Sequence, residues 1–348
     1  MFMKALKYST VFFIPLLAAV AFANGGVWTF GVLIYSFCII PLLELAIKPS
    51  SKNLEQATIE VVSSDKIYDW LLYLVLPLHY FVVFLFLFSL KNNSYQFYEI
   101  IGLVTTLGLS CGIMGINVAH ELGHRSRGHE KLIARLLLLS SFYMHFFIEH
   151  NRGHHKNVST LEDPASARFN ENLYSFWMRS IFYSYLSAWS IEAKSLKQKK
   201  LSIISFKNEM LVYHLIQALY FFTIFYFFGF FISIAYLAAA AVGILLLETV
   251  NYIEHYGLQR KKVNEFRYEQ VTQVHSWNSN YILGRLTLFE LSRHSDHHYN
   301  PGKKYQLLEH HSNSPQMPTG YPGMMILSLL PPLWFRIMNK KIIDFNRI

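Results

Sequence analysis

The stretch NVAHELGHRS, residues 117–126, sets His120 and His124 four residues apart with Glu121 between them. Residues i and i+4 share one face of a helix, so both imidazoles can reach one metal ion from successive turns. Read alone, His-Glu-x-x-His is the zinc-protease signature, in which the glutamate activates a water. Two more clusters change that reading. EHNRGHH carries His150, His154 and His155, RHSDHH carries His294, His297 and His298, and a single His255 lies in NYIEHYGL.

Adjacent residues on a helix diverge by about 100°, so neighbouring histidines in these clusters are expected to reach different metals. A catalytic zinc takes about three protein ligands and an open position, which leaves most of these side chains unemployed. Two metals in a shared histidine cage use them all. Imidazole suits zinc, copper, iron and nickel alike, so the ligand type does not name the metal; two redox-active irons satisfy the count. A metal carrier or sensor without catalysis is a third reading. Metal-bound histidines usually donate their second ring N–H to a carboxylate or carbonyl. Glu121, Glu149, Glu254 and Asp296 each adjoin a candidate ligand and Asp163 follows nearby, so these five are predicted to orient the rings. Glu121 thereby becomes a support instead of a general base. His79, His145 and His214 read as satisfied core residues. His129, His275, His310 and His311 read as surface, headgroup-facing or supporting residues.

The elements that must position these side chains are apolar. The chain is 53% hydrophobic and 15% charged, too apolar for an ordinary soluble domain. Six runs match the roughly 20 helical residues that cross a hydrocarbon core: 8–24, 27–47, 68–90, 97–119, 209–229 and 230–249. The last two follow without a formally charged residue between Glu209 and Glu248, and a tight turn near Gly229 is expected. Runs near 131–148 and 322–338 are interrupted by Arg135, His145 or Pro331-Pro332 and are predicted to be helices lying on or docked into the membrane face. Of the 31 Lys and Arg residues, 30 fall on one side of this topology, which the positive-inside rule makes cytoplasmic. Both termini and the long segments 120–208 and 250–348 then share that side. The net charge of +9 reflects this asymmetry, so contact with anionic headgroups or an acidic protein is expected and nucleic acid is not. Lys4, Lys7 and AFA at 21–23 also fit a cleaved signal peptide, but the second apolar run makes a helical hairpin the better reading. Cys38 and Cys111 form no C-x-x-C pair, which excludes a fused thiolate iron site. The expected fold is an all-α integral membrane protein: one catalytic domain over 1–348, six transmembrane helices and a cytoplasmic helical cap with a di-metal site.

The set HELGH, EHNRGHH, NYIEHYGL and RHSDHHYNP resembles the alkane hydroxylases (alkane 1-monooxygenases), integral-membrane non-haem di-iron enzymes. The resemblance extends to EDPASAR at 162–168, HSWNSN at 275–280 and MPTGYPG at 317–323, and is clear over about residues 68–341. The three clusters are shared with membrane fatty-acid desaturases, whereas HYG at 255–257 separates the alkane hydroxylases from them. The resemblance implies a bacterial cell-membrane enzyme with two irons held by His120, His124, His150, His154, His155, His255, His294, His297 and His298. It implies terminal hydroxylation of an n-alkane with O2 and electrons from a rubredoxin-type donor and its reductase. The donor is expected to be a separate protein, because no cysteine-rich extension follows. Related membrane enzymes acting on xylenes, terpenes or fatty-acyl chains are the alternative, and a zinc protease the distant one. FNENLY at 169–174 and the glutamate in ETVNY depart from the family pattern. Ser36, small within an apolar run, is predicted to leave room in a substrate channel; a helix-packing role accounts for it equally.

Overall fold

A computed structural model describes residues 5–265 and 267–345; Lys4 and Arg347, counted in the charge balance above, lie outside them. The architecture is helical apart from one short antiparallel hairpin, β1 Lys262–Asn264 with β2 Arg267–Tyr268. Among the described residues, five helices are long and apolar enough to cross a bilayer: α1 Leu6–Asn24, α2 Gly26–Ala46, α3 Ile67–Asn92, α4 Phe97–Gly123 and a 47-residue element, Glu209–His255. Large apolar side chains such as Phe84, Phe88, Phe222 and Phe230 stand exposed on their outer faces. Outward apolar belts of this extent belong in lipid, and the chain is a multi-pass membrane protein.

A group of mostly shorter helices, here termed the cap, comprises α5 Gly128–Leu139, α6 over 146–157, α7 Leu173–Gln198, the tail of α8 Glu209–His255, and four later helices. These are α9 Ile282–Thr287, α10 His294–Tyr299, α11 Tyr321–Ser328 and α12 Pro331–Phe345. The apolar run at 131–148 is not one helix on the membrane face. Phe142 adopts a left-handed φ of 51°, which ends α5, and the run continues as the buried start of α6. The 322–338 run likewise divides, at Leu329–Leu330, into α11 and an amphipathic α12 that buries Trp334, Met338 and Ile342.

The turn expected near Gly229 is present. Gly229 has φ 81° and ψ 176°, a region essentially restricted to glycine. Tyr220 and Tyr236 meet across it at 2.9 Å between hydroxyls; in a straight helix 16 residues would separate them by about 24 Å. α8 is therefore a helical hairpin, and its second arm runs alongside α4.

Small residues set the α4–α8 distance. A Cβ at Gly108 would lie 2.5 Å from Val242, and one at Gly243 would lie 2.7 Å from Cys111. Close backbone approach of this kind is the usual way membrane helices pack. Twelve residues beyond Gly108 is His120, and twelve beyond Gly243 is His255. Two parallel helices pinned at those glycines carry both histidines about 18 Å further, to the same depth.

Replacing Gly229 by valine forces a β-branched residue into this backbone region at about 1–3 kcal/mol. The expected result is a thermal midpoint in detergent lower by several degrees, with metal-binding capacity kept at low temperature.

Candidate metal centre

All nine candidate histidines converge under the cap, and they sort into two groups. His120, His124, His150, His155 and His297 form one; His154, His255, His294 and His298 form the other. Within each group the ligand nitrogens lie within 4.8 Å of one another. Neighbours part company: His154 and His155 fall in different groups, as do His297 and His298, which follows from the angular divergence of adjacent helical residues. Seven of the nine are buried, and His124 and His155 are half-buried.

Their geometry suits a metal. Nε2 of His150 lies 3.0 Å from Nε2 of both His124 and His155, and His297 Nε2 is 3.2 Å from His155 Nε2. In the second group, His154–His298 and His255–His294 are each 3.2 Å apart between Nε2 atoms. With metal–nitrogen bonds of about 2.1 Å, ligands at right angles are about 3.0 Å apart. The Nε2 of His120 is buried without a hydrogen-bond partner among the described residues. Burial, followed by mutual repulsion, holds His150, His155, His294, His297 and His298 well below the ordinary imidazole pKa, and burial brings His124 down to about 3. Neutral imidazole is the ligating form.

Local backbone is part of the construction. His150–His154 is a π-helical segment, as are Cys111–Ile116, just before the first cluster, and Tyr35–Ile39, which carries Ser36. Single π turns inside helices are frequent at functional sites. Gly153, between the second-cluster histidines, leaves room for Glu149, whose Oε1 would lie 2.6 Å from a Cβ there and would have to move.

The five carboxylates divide. Asp163 Oδ2 is 2.9 Å from His154 Nδ1 and also accepts from Ser166. Burial opposes protonation of His154, but Asp163, then Glu149 and Glu248, outweigh it and raise that pKa. Glu254 Oε2 is 3.1 Å from His294 Nε2, while its other oxygen accepts from Tyr321 at 2.6 Å. Glu149 is buried beside the second cluster, its pKa pushed up to about 8 by burial and then by Asp163. Glu121 and Asp296 do not orient a candidate ligand. Pointing about 100° away from its neighbours, Glu121 pairs with Arg125 at 2.6 Å and accepts from the Tyr305 backbone. Asp296 accepts from His311 at 2.7 Å and from the Glu309 backbone.

The remaining histidines are mixed. His79 is satisfied between Ser110 and Ser140, and His214 between Tyr185 and the Met210 carbonyl. His145, expected to be satisfied, has an unpartnered buried Nε2. His275 is buried, not at the surface, with Thr272 and Glu269 as partners. Tyr321, Trp277, Arg125 and Glu248 also support the site. Sequence reasoning flagged Glu248 only as a departure able to alter the surroundings of the site and gave Tyr321, Trp277 and Arg125 no role, because each of these three acts on a residue at least four positions away.

An apolar cavity leads to both groups. Ser36, Phe37 and Ile40 of α2, Ile113 of α4 and Leu246 and Val250 of α8 line its length; His120, His150, His294 and Glu254 line its inner end.

A membrane helix bundle with two histidine groups on its cap defines a class, and a family model described as fatty acid desaturase matches residues 97–328. Within that class, the chain is 36% identical to alkane 1-monooxygenase 2 of Alcanivorax borkumensis, over 94% of this chain and 87% of that protein. It is 37% identical to the alkane 1-monooxygenase of Pseudomonas putida, over 90% and 78%. The xylene/toluene monooxygenase hydroxylase component of Pseudomonas putida is 25% identical over 99% of this chain and 91% of its own length. The chain belongs to the alkane 1-monooxygenase family and is an oxidoreductase of monooxygenase type.

Asp163→Asn keeps the shape but removes the charge behind His154. Losing such a support lowers metal affinity by about 10–100-fold, a change that chelator competition on the purified protein will register.

Proposed function

We propose that this chain hydroxylates the terminal carbon of an n-alkane, with two irons held by the nine histidines: five for one iron, four for the other. The observation that carries the reading is the apolar cavity that runs from α2 to His120 and His150 of one group and His294 of the other. One catalytic domain spanning 1–348 crosses the membrane six times, the α8 hairpin contributing two crossings, with both termini and the site on the cytoplasmic side of a bacterial cell membrane. The one-sided distribution of Lys and Arg supports that orientation.

The reaction takes one alkane C–H bond, O2, two electrons and two protons to a primary alcohol and water. When bound, the irons supply the O2 chemistry; the protein supplies binding, orientation and exclusion of competing reactions. An alkane offers no polar handle, so the cavity walls must position it by shape and apolar contact. Phe37, Ile113, Leu246 and Val250 do so from helices that also face lipid, where alkanes concentrate. Tyr321 donates to Glu254 Oε1 and fixes that carboxylate at the inner end beside His294. Electrons come from a separate rubredoxin-type protein and its reductase at the cytoplasmic face.

A methyl group on an aromatic ring meets the same apolar constraints, and the similarity to the xylene/toluene enzyme component favours testing p-xylene as a second substrate. A zinc protease is disfavoured by Glu121, whose carboxylate is committed to Arg125 and the Tyr305 backbone.

Purified protein is expected to carry two irons per chain and to convert octane to 1-octanol in the presence of O2, reductase and rubredoxin, as read by metal analysis and gas chromatography. One zinc per chain without O2 uptake would overturn the proposal. The Ser36 hydroxyl is buried and unpartnered in the cavity wall. Ser36→Trp should shorten the longest alkane accepted; an unchanged range would make Ser36 a packing residue.

A further inference from the structure

We infer that the groove between α12 and the segments 274–277 and 312–316 is the docking site for an acidic one-electron carrier protein, and that Trp277 forms its bonded link to the metal centre. The inference rests on the oxygenase reading above, which requires two electrons from outside the chain.

The groove is open, about 900 Å³, and Ser312, Asn313 and Gln316 line it together with the apolar Val274, Pro315, Ile337 and Phe345. Arg336, Lys340 and Lys341 line one side, against a single acid, Asp344. None of the three makes an ion pair or side-chain hydrogen bond among the described residues. The basic residues elsewhere around the centre are mostly committed. Arg127 and Lys304 pair with Asp69, Arg152 with Glu192 and Glu209, and Lys303 with Asp296 and Glu309. Unpaired cations on a concave wall are the charge pattern that steers and orients an acidic partner. Lys199, Lys200 and Lys207, which bracket the highly exposed Ile204 and Phe206, suit the bilayer interface; α12 exposes Leu333 and Ile343 to a smaller extent and presents its cations to the groove.

The floor of the groove is also wired to a candidate ligand. Trp277 donates its backbone N–H to the Glu254 carbonyl at 2.8 Å and its indole N–H to the Tyr256 carbonyl at 2.9 Å. These two bonds grip the residues on both sides of His255. The preceding residue, Ser276, sits 3.5 Å from His255 Nδ1 through its hydroxyl. Trp277 thus spans from the groove to the backbone of His255, and Ser276 to its ring. Each docking oxidises the carrier's metal centre by one electron. Two dockings supply the two electrons consumed per O2, and Trp277 undergoes no net redox change.

The test uses the full chain in nanodiscs of zwitterionic lipid and zinc-substituted rubredoxin as a redox-silent probe. Binding should weaken as salt rises, and the triple variant R336E/K340E/K341E should lose affinity by at least about tenfold, the scale of removing several complementary charges. The variant R127E/K156E, near the half-exposed His124 and His155, should change it less than twofold. With iron rubredoxin and the iron-loaded enzyme, the triple variant should raise the KM for rubredoxin with kcat retained at saturation. Trp277→Leu should slow electron transfer from bound carrier without altering its affinity, and Trp277→Phe should retain more of that rate. Unchanged binding by the triple variant, or loss of binding in R127E/K156E instead, would place docking elsewhere and overturn the inference. So would a triple variant that loses affinity only for phosphatidylglycerol vesicles, which would make the groove a lipid surface. If dithionite-driven octane hydroxylation persists in the parent protein while these results go against the groove, only this inference falls. If the parent binds rubredoxin but forms no alcohol with either reductant, the oxygenase reading falls.

Discussion

Nine imidazoles packed against one another is the constraint on which this structure depends. Each ring is polar, most are sealed from water, and their Nε2 lone pairs point inward at 3.0–3.2 Å from one another. Such a cluster is costly for a protein to bury unless cations occupy the centre. Helices approaching from several directions must therefore deliver the rings, and carboxylates must hold some of them. The glycines of α4 and α8 set the depth of His120 and His255. α6 and α10 supply six of the nine rings; Asp163 bonds His154 at its outward Nδ1, whereas Glu254 meets His294 at Nε2, the nitrogen that faces the group.

The same arrangement sorts chemistry by polarity. The cavity walls are mostly aliphatic and aromatic, with a few polar side chains such as Ser36 and Asn117 among them. At the groove the surface is basic, and its unpaired Arg336, Lys340 and Lys341 stand over the segment that grips His255. On the proposed reading, substrate and electrons reach the centre by separate routes, one through the apolar cavity and one through the basic groove. The π-helical turns contribute to this division. Those at Tyr35–Ile39, Cys111–Ile116 and His150–His154 all place residues on the cavity wall or at its inner end; each adds a residue to the turn and re-aims the side chains there.

Much of this was legible in the chain. Apolar runs of bilayer length depend only on composition: four of the six were found within a few residues of the expected limits, and the last two form one 47-residue element broken at Gly229, where a glycine interrupts an uncharged stretch. Cluster spacing foretold that adjacent histidines would diverge. Local adjacency was a poor guide to the supporting carboxylates. Glu121 and Asp296 sit next to candidate ligands in sequence yet turn to Arg125 and His311, because neighbours on a helix face different directions. Asp163, farther away in the chain, is the one bonded to His154. The run at 131–148 misled for a related reason: an apolar pattern does not reveal a left-handed residue such as Phe142 that breaks it.

By itself, then, the sequence determined which residues are available for metal chemistry, that they travel on membrane helices, and on which side charge accumulates; these follow from side-chain type and helical period alone. Only the tertiary structure decided how the nine histidines divide into five and four, where the apolar cavity ends, and which carboxylate serves which ring. Those properties depend on distances between segments more than 100 residues apart, such as His154 and His298 or Glu121 and Tyr305. No local pattern encodes them, because they arise from where helix packing brings the segments together.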